Sequence, residues 1–367
     1  MIGVGVVGYG YWGPNLARNF AAQPGCRLIA VCDAAEGRLA QARLAHPDCL
    51  VTRDYRQLLS HDQIQAVLIA TPLATHFALA RDALVAGKDV LVEKPLTPTA
   101  AEARQLIELA ERHGRILAVD HTFLYTGAVT KIKQLIDSGE LGELLYIDSV
   151  RTNLGLFQAD SNVVYDLAPH ELSIMFHLLE RDPISVQAVG ACHAHNTFEN
   201  LAYVHLEFDD QLVAHFHLNW LAPVKLRQTL IAGRQKMVVY DDMERSEKVK
   251  IYDKGIDIKE HDADAAYKVY VDYRTGDMVA PKLSQREALH AEAEHFLDCV
   301  RQRTRPLADG HAGLRVVRVL EAAQESIKNH GVRVELPHDE AEATARIPNR
   351  LSDRANGKYV RNHRKAA

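Results

Sequence analysis

Six residues near the amino terminus, Gly8-Tyr9-Gly10-Tyr11-Trp12-Gly13, restrict the fold of this chain more than any other segment. They follow the apolar run Ile2 to Val7 and precede a stretch, Asn15 to Ala22, with apolar residues at helical spacing. In that setting three glycines serve a tight strand-to-helix turn, a close backbone approach to a pyrophosphate and helix packing, while the helix start supplies amides. Asp33 closes the next apolar run, Leu28 to Cys32, twenty positions after Gly13. A carboxylate there accepts hydrogen bonds from both hydroxyls of an adenosine ribose. It would repel a 2'-phosphate, and Ala34 and Ala35 offer no arginine to bind one, so NAD is expected over NADP. Arg38, inside the following helix, keeps NADP open as the alternative.

The runs Ala66 to Ala70, Val90 to Val92 and Ile116 to Val119 continue the series, and His76 to Ala86 and Ala101 to Arg112 carry helical periodicity between them. Near-continuous apolar strands alternating with helices imply a parallel sheet covered on both faces. Gly37 to Ala45 completes the set of helices, and Gly87 and Gly114 stand where carboxyl-terminal caps belong. After about Leu144 the pattern becomes one of alternation: Ala202 to Phe208 and Leu212 to Leu218 are separated by Asp209-Asp210, an antiparallel pair with two unlike faces. Helical spacing returns over Gln285 to Arg301 and Ala312 to Lys328, segments expected to pack on the first domain or on the second sheet. The expected fold is therefore α/β plus α+β. A doubly wound dinucleotide-binding domain spans residues 1–122 and a domain on a large, mostly antiparallel, open-faced sheet spans 123–340. A basic tail follows from 341, its last part, from Arg346, holding seven Lys or Arg against one acidic residue.

A chain of 367 residues suits two cores, since domains cluster at about 100 to 150 residues. Its 43 basic and 48 acidic side chains create no positive field for nucleic acid or anionic lipid, so a small-molecule partner is expected. Five scattered cysteines without a CxxC pair argue against a disulfide framework and a zinc ribbon. No run approaches the roughly 18 apolar residues of a membrane span, and the first residues lack the pattern of a signal peptide, so a cytoplasmic location is expected.

Three further segments carry chemistry. Glu93-Lys94-Pro95 ends the strand-like run Val90 to Val92, where a lysine can point into the ligand crevice of a parallel sheet. Asp166 and His170 lie four positions apart, on one face if the segment is helical, although Pro169 places the start of a regular helix close by. A carboxylate there can set a histidine's tautomer and raise its basicity. Thr71 and Pro72, ending the fourth strand, and His76 beyond them are candidate cofactor contacts. His215 and His217 share one strand face, but no third ligand at sensible spacing accompanies them, and packing is favoured over metal binding.

Taken in order, the glycine fingerprint, Glu93-Lys94-Pro95 and the Asp166-x3-His170 pair ahead of an antiparallel sheet resemble the Gfo/Idh/MocA family of oxidoreductases over nearly the whole chain. The resemblance implies that Lys94, Asp166 and His170 surround a nicotinamide and a reacting carbinol. It also implies a cofactor site of Gly8, Gly10, Tyr11, Trp12, Gly13, Asp33, Thr71, Pro72, His76, Glu93, Lys94 and His121. His170, oriented by Asp166, is the expected base and Lys94 the donor to the reacting oxygen, with Lys94 as base the open alternative. The segments Gly8 to Asn15, Asp166 to His170 and Trp220-Leu221-Ala222-Pro223 resemble the branch acting on nucleotide-linked sugars. Oxidation of the 3-hydroxyl of UDP-N-acetylglucosamine is the expected activity. The alternatives are the corresponding glucuronate, a dTDP-sugar ketoreductase and a silent NAD-binding sensor. Arg151, Asn153, Lys225 and Arg227 are the candidate substrate ligands. The family commonly buries the open sheet face in homodimers or homotetramers, and Phe208, Phe216 and Trp220 are expected on that face.

Overall fold

The computed structural model describes residues 1–155, 161–193, 198–259 and 270–337, with residues 256–259 and 270–273 described by their backbone alone. The first third of the chain alternates as β1 (Ile2–Val7), α1 (Gly13–Ala21), β2 (Cys26–Cys32), α2 (Glu36–Ala45), β3 (Leu50–Thr52), α3 (Tyr55–Leu59), β4 (Ala66–Ile69), α4 (His76–Val85), β5 (Asp89–Glu93), α5 (Ala100–His113) and β6 (Leu117–Asp120). Its six strands pair in parallel in the order β3-β2-β1-β4-β5-β6. The order reverses between β1 and β4, so their connections leave to opposite sides and open a crevice at the carboxyl ends of the strands. The sequence reading omitted β3 and α3, three and five residues long and too short for either periodicity to register. Gly87 and Gly114 take positive φ at the ends of α4 and α5, and Thr99 and Glu102 close a capping box at the start of α5.

The second half adds α6 (Gly127–Asp137), β7 (Leu144–Leu154), α7 (Val163–Leu179), β8 (Ser185–Ala191), β9 (Leu201–Glu207), β10 (Val213–Asn219), β11 (Leu221–Gly233), β12 (Met237–Asp241), β13 (Val249–Lys259) and β14 (Tyr270–Val279). The helices α8 (Ala288–Gln302) and α9 (Gly310–Lys328) and a short β15 (Val334–Glu335) complete it. Nine strands pair in the order β14-β13-β12-β11-β7-β10-β9-β8-β15, antiparallel except for β7 with β10. Residues 1–336 form one compact unit, with α9 packed on α5 and β6 of the first sheet and on α7 and β8 of the second. The residues of the basic tail lie outside those described.

Two expectations need correction here. Helix α7 begins at Val163, not near Pro169, which lies inside it. Asn162 caps the amides of Val164 and Tyr165, and a dozen buried positions along α7 offset the roughly 3 kcal/mol that an interior proline costs. Phe208, Phe216 and Trp220 are not on the open face: all three are buried in the core that α7 shares with the sheet. The alternation puts Ala202, Val204 and Leu206 inward, and with them Ala214, Phe216 and Leu218 of β10. The opposite face carries Tyr203, stacked on His217 with ring centroids 4.6 Å apart, together with His205 and His215. Among the described residues no group of three His, Cys, Asp or Glu could hold a metal ion, and no helix is long and apolar enough to cross a membrane.

Candidate active site

The glycine fingerprint closes the amino-terminal edge of the crevice. A side chain at Gly8 would meet the Ala70 carbonyl oxygen at 2.3 Å, and one at Gly13 would meet the Gly8 oxygen at 2.0 Å. Only glycine permits this contact between the loop and the end of β4, which brings Thr71 beside it. The buried Asp33 carboxylate accepts from the Tyr9 amide at 2.6 Å and the Ala35 amide at 2.8 Å, which fixes the turn, and Tyr11 and Trp12 project from its tip. These residues fit an adenosine diphosphate. Arg38, the residue that keeps NADP open, reaches back from α2 to 3.6 Å from Asp33 and lies against Gly10. Asp33→Asn should therefore shift the NADP-to-NAD preference by about 10- to 100-fold toward NADP, the worth of one charged hydrogen-bond acceptor, by freeing Arg38 for a phosphate. Paired kcat/KM values for the two cofactors measure it, and an unchanged ratio contradicts it.

Lys94 follows the last residue of β5, ahead of a cis bond to Pro95, and reaches Asp166 of α7. Its Nζ donates to the Asp166 backbone oxygen at 2.8 Å and to Asp166 Oδ1 at 3.3 Å, and Trp220 Nε1 donates to Asp166 Oδ2 at 3.0 Å. The carboxylate expected to orient His170 thus orients Lys94 instead. One turn of helix aligns Asp166 with His170 along α7, but the lysine amine and the indole occupy both carboxylate oxygens. His170 packs edge-on against Phe123 at 5.0 Å, and its Nδ1 is buried without a partner. Burial and then the cations Arg151, Lys94 and Arg227 push its pKa well below the ordinary imidazole value, so the ring is neutral and can accept a proton.

The remaining cofactor candidates divide. Thr71 and Pro72 lie at the crevice rim. His76 does not: it is buried, with Nε2 at 2.8 Å from the Thr71 oxygen and Nδ1 at 2.9 Å from the Pro95 oxygen, so it ties the rim to the Lys94 turn. His121 is buried near Lys94 with both ring nitrogens unpartnered, and its pKa is pushed down to about 3 by burial and by that amine. Glu93 faces inward, accepting from the Lys94 amide at 3.1 Å and lying on Asp120, which also contacts Glu292 of α8 and the Thr122 hydroxyl. Both Glu292 oxygens and Asp120 Oδ2 lack a donor, so three carboxylates there cannot all be ionised.

Burial, then the neighbouring carboxyls, raises Glu93 and Glu292 well above the usual range, and as acids each can donate to Asp120. A raised folded pKa contributes stability that is full below the unfolded pKa and is lost as pH rises toward the folded value. Glu292→Gln keeps the shape and a donor but never ionises. Its unfolding free energy from urea titration should gain on wild type progressively as pH rises above the usual carboxyl range, on the order of 1 kcal/mol per pH unit. A pH-independent difference would exclude a shared proton.

The expected substrate ligands also separate. Arg151 is buried and bound to Glu171 at 2.7 Å, with Ser149 donating to the same carboxylate at 2.6 Å. Taking it for a substrate would leave Glu171 uncompensated, at about 3–5 kcal/mol, so Arg151 is part of the wall. Its guanidinium covers one side of Phe123 at 4.8 Å and that of Arg227 approaches at 5.6 Å, a ring sequence reasoning had not singled out. Arg227 is half-buried and bound to Asp242 at 3.1 Å. Lys225 is exposed, with Arg227 and then burial lowering its pKa, and Asn153, next to last in β7, lies with Trp220 against Gly155.

A parallel sheet with a dinucleotide turn, and a lysine and a neutral histidine at its carboxyl edge, define an NAD-dependent oxidoreductase acting on a CH–OH group. Residues 2–121 match the oxidoreductase family with NAD-binding Rossmann fold and residues 129–239 match the GFO/IDH/MocA C-terminal domain, so the chain belongs to the Gfo/Idh/MocA family. YdgJ, an uncharacterized oxidoreductase of Escherichia coli, is 35% identical over 181 residues, 47% of this chain and about half (51%) of that protein. A UDP-N-acetylglucosamine 3-dehydrogenase of Acidithiobacillus ferrooxidans is 28% identical over 316 residues, 85% of this chain and 93% of that one. The solved structure of UDP-N-acetylglucosamine 3-dehydrogenase GnnA from the same organism aligns at a TM-score of 0.76 and 26% identity, covering 89% of this chain and 98% of its own.

Proposed function

We propose that this protein oxidises the 3-hydroxyl of a nucleotide-linked sugar with NAD, the substrate being UDP-N-acetylglucosamine and the product a 3-keto sugar ready for transamination in surface glycan synthesis. The observation that carries the reading is the meeting of Lys94, held by Asp166, with the neutral His170 under a cationic wall. A likeness to a UDP-N-acetylglucosamine 3-dehydrogenase over 93% of that protein supports the choice of sugar. Bound NAD supplies the hydride acceptor. His170 takes the hydroxyl proton, being uncharged at neutral pH. Lys94 spends donors on Asp166 and directs another at the reacting oxygen, stabilising the negative charge that develops there. Thr71 and Pro72 border the cofactor, and His76 and Glu93 hold the loops that do so.

NADH absorbance on mixing protein, NAD and UDP-N-acetylglucosamine, with an aminotransferase to draw off the ketone, tests the reading. Absence of turnover across UDP- and dTDP-sugars despite NAD binding would replace it with a sensor. UDP-N-acetylglucosaminuronate is the second reading, favoured by Lys225 and by the Arg227 guanidinium beside Phe123. A higher kcat/KM for that sugar, abolished in Lys225→Ala, would select it. We also propose a homodimer or homotetramer formed across the uncovered sheet face with its Tyr203, His215 and His217 rings, which light scattering would report as a multiple of the 40.9 kDa chain.

A further inference from the structure

A second cavity, of about 150 Å³, opens where the start of α6 meets the turn after β12 and the segment leading into α8. That is far more than the ~15 Å³ one water needs. Its lining includes the cations Arg245, Lys248 and Arg286 against a single carboxylate, Asp242, and the hydroxyls of Ser246 and Ser284. Asp242 is already spoken for, bound by Lys248 at 2.8 Å and by Arg227 at 3.1 Å. Arg286 is shared with Glu294 at 2.6 Å on the outer side. Arg245 is exposed, and no carboxylate among the described residues neutralises it. The cavity floor is close-packed backbone, since a side chain at Gly127 would meet the Ser284 oxygen at 2.4 Å.

The cavity is linked to the catalytic wall by a short run of contacts. Phe123 meets His170 edge-on at 5.0 Å and has the Arg227 guanidinium 5.6 Å from its ring, and Arg227 binds the Asp242 that lines the cavity. That run of contacts leads from the ring expected to meet the reacting carbon to a group of cations and hydroxyls. Cations and hydroxyls converging on one concavity suit phosphoryl oxygens, which accept several charge-assisted hydrogen bonds at once.

We infer that this cavity receives the diphosphate of the substrate, with Arg245 as its principal cation and Arg286, Ser246 and Ser284 as further donors. The inference rests on the nucleotide-sugar reading above and extends it to a defined subsite. Lys248 acts through Asp242 and Arg227, keeping the latter over Phe123, and is a positioning residue.

Titration of the full chain with inorganic pyrophosphate, with and without NAD, is the direct test. Arg245→Glu should weaken pyrophosphate binding about tenfold or more and raise KM for UDP-N-acetylglucosamine in parallel, with kcat within about twofold. Lys328→Glu, a charge reversal at the exposed end of α9, should change neither. At saturating NAD, which fills the dinucleotide turn, pyrophosphate should compete with the nucleotide sugar. Binding that Arg245→Glu leaves intact, or that does not compete with the sugar nucleotide, overturns the assignment. If pyrophosphate binds in an Arg245-dependent way while no nucleotide sugar is oxidised, the subsite stands and the proposed reaction falls. If UDP-N-acetylglucosamine is oxidised with a KM indifferent to Arg245→Glu, the reverse holds.

Discussion

Lys94→Ala should lower kcat by about three orders of magnitude and leave NAD affinity within about threefold of wild type. Among the described residues the amine is the only cation bonded to Asp166, at 2.8 Å and 3.3 Å, and its side chain is only 12% exposed, so its charge acts in a poorly solvated space. Removing a fixed donor from a developing oxyanion typically costs 10²–10³ in rate, and here the Asp166 carboxylate would also lose its lysine partner while keeping the bond from Trp220 Nε1. Lys94→Arg should not restore the rate, because a planar guanidinium cannot place one compact charge between the Asp166 carbonyl and the substrate. Single-turnover NADH formation separates this loss from cofactor binding. Retention of kcat within tenfold would remove Lys94 from the chemistry.

His170→Ala is expected to cost about 10²–10⁴ in kcat, the usual contribution of a positioned base, and to remove the acid limb of the pH profile. The position of that limb follows from the environment of the ring. Burial, then Arg151, Lys94 and Arg227, disfavour the imidazolium, so the proton-accepting form persists below the ordinary value of about 6.5. In wild type kcat/KM should be flat through neutrality and fall only in more acidic solution as His170 becomes protonated. Arg227→Gln removes one of those cations and should move the limb upward, toward 6.5. An acid limb that survives His170→Ala would transfer the role of base to another group, Lys94 first.

These two residues also mark how far the sequence could be read. The dinucleotide site was legible because its partners are local. Gly8, Gly13 and Asp33 belong to one strand–helix–strand unit, and each demand on them is met within it, as in the bond from the Tyr9 amide to Asp33. Arg38 could be kept only as the opening for NADP, since its position inside α2 said nothing about how far a long side chain reaches back. The alternation of β9 and β10 was plain, but which of its faces α7 would cover was not, and Phe216 and Trp220 were assigned to the wrong one.

What the sequence determined by itself was most of the first domain's strands and helices, the β9–β10 pair, the nucleotide turn and the residue types at the crevice, all consequences of spacing within one strand, one turn or one βα unit. The tertiary structure decided which charges meet. Asp166 takes Lys94, 72 residues away, and Trp220, 54 away, rather than His170 on the next turn, and Glu292 joins Glu93 and Asp120 only because α8 packs back on the first sheet. Periodicity describes a side chain relative to its own helix or strand. Electrostatic partnership depends on distance through space, which chain folding alone sets.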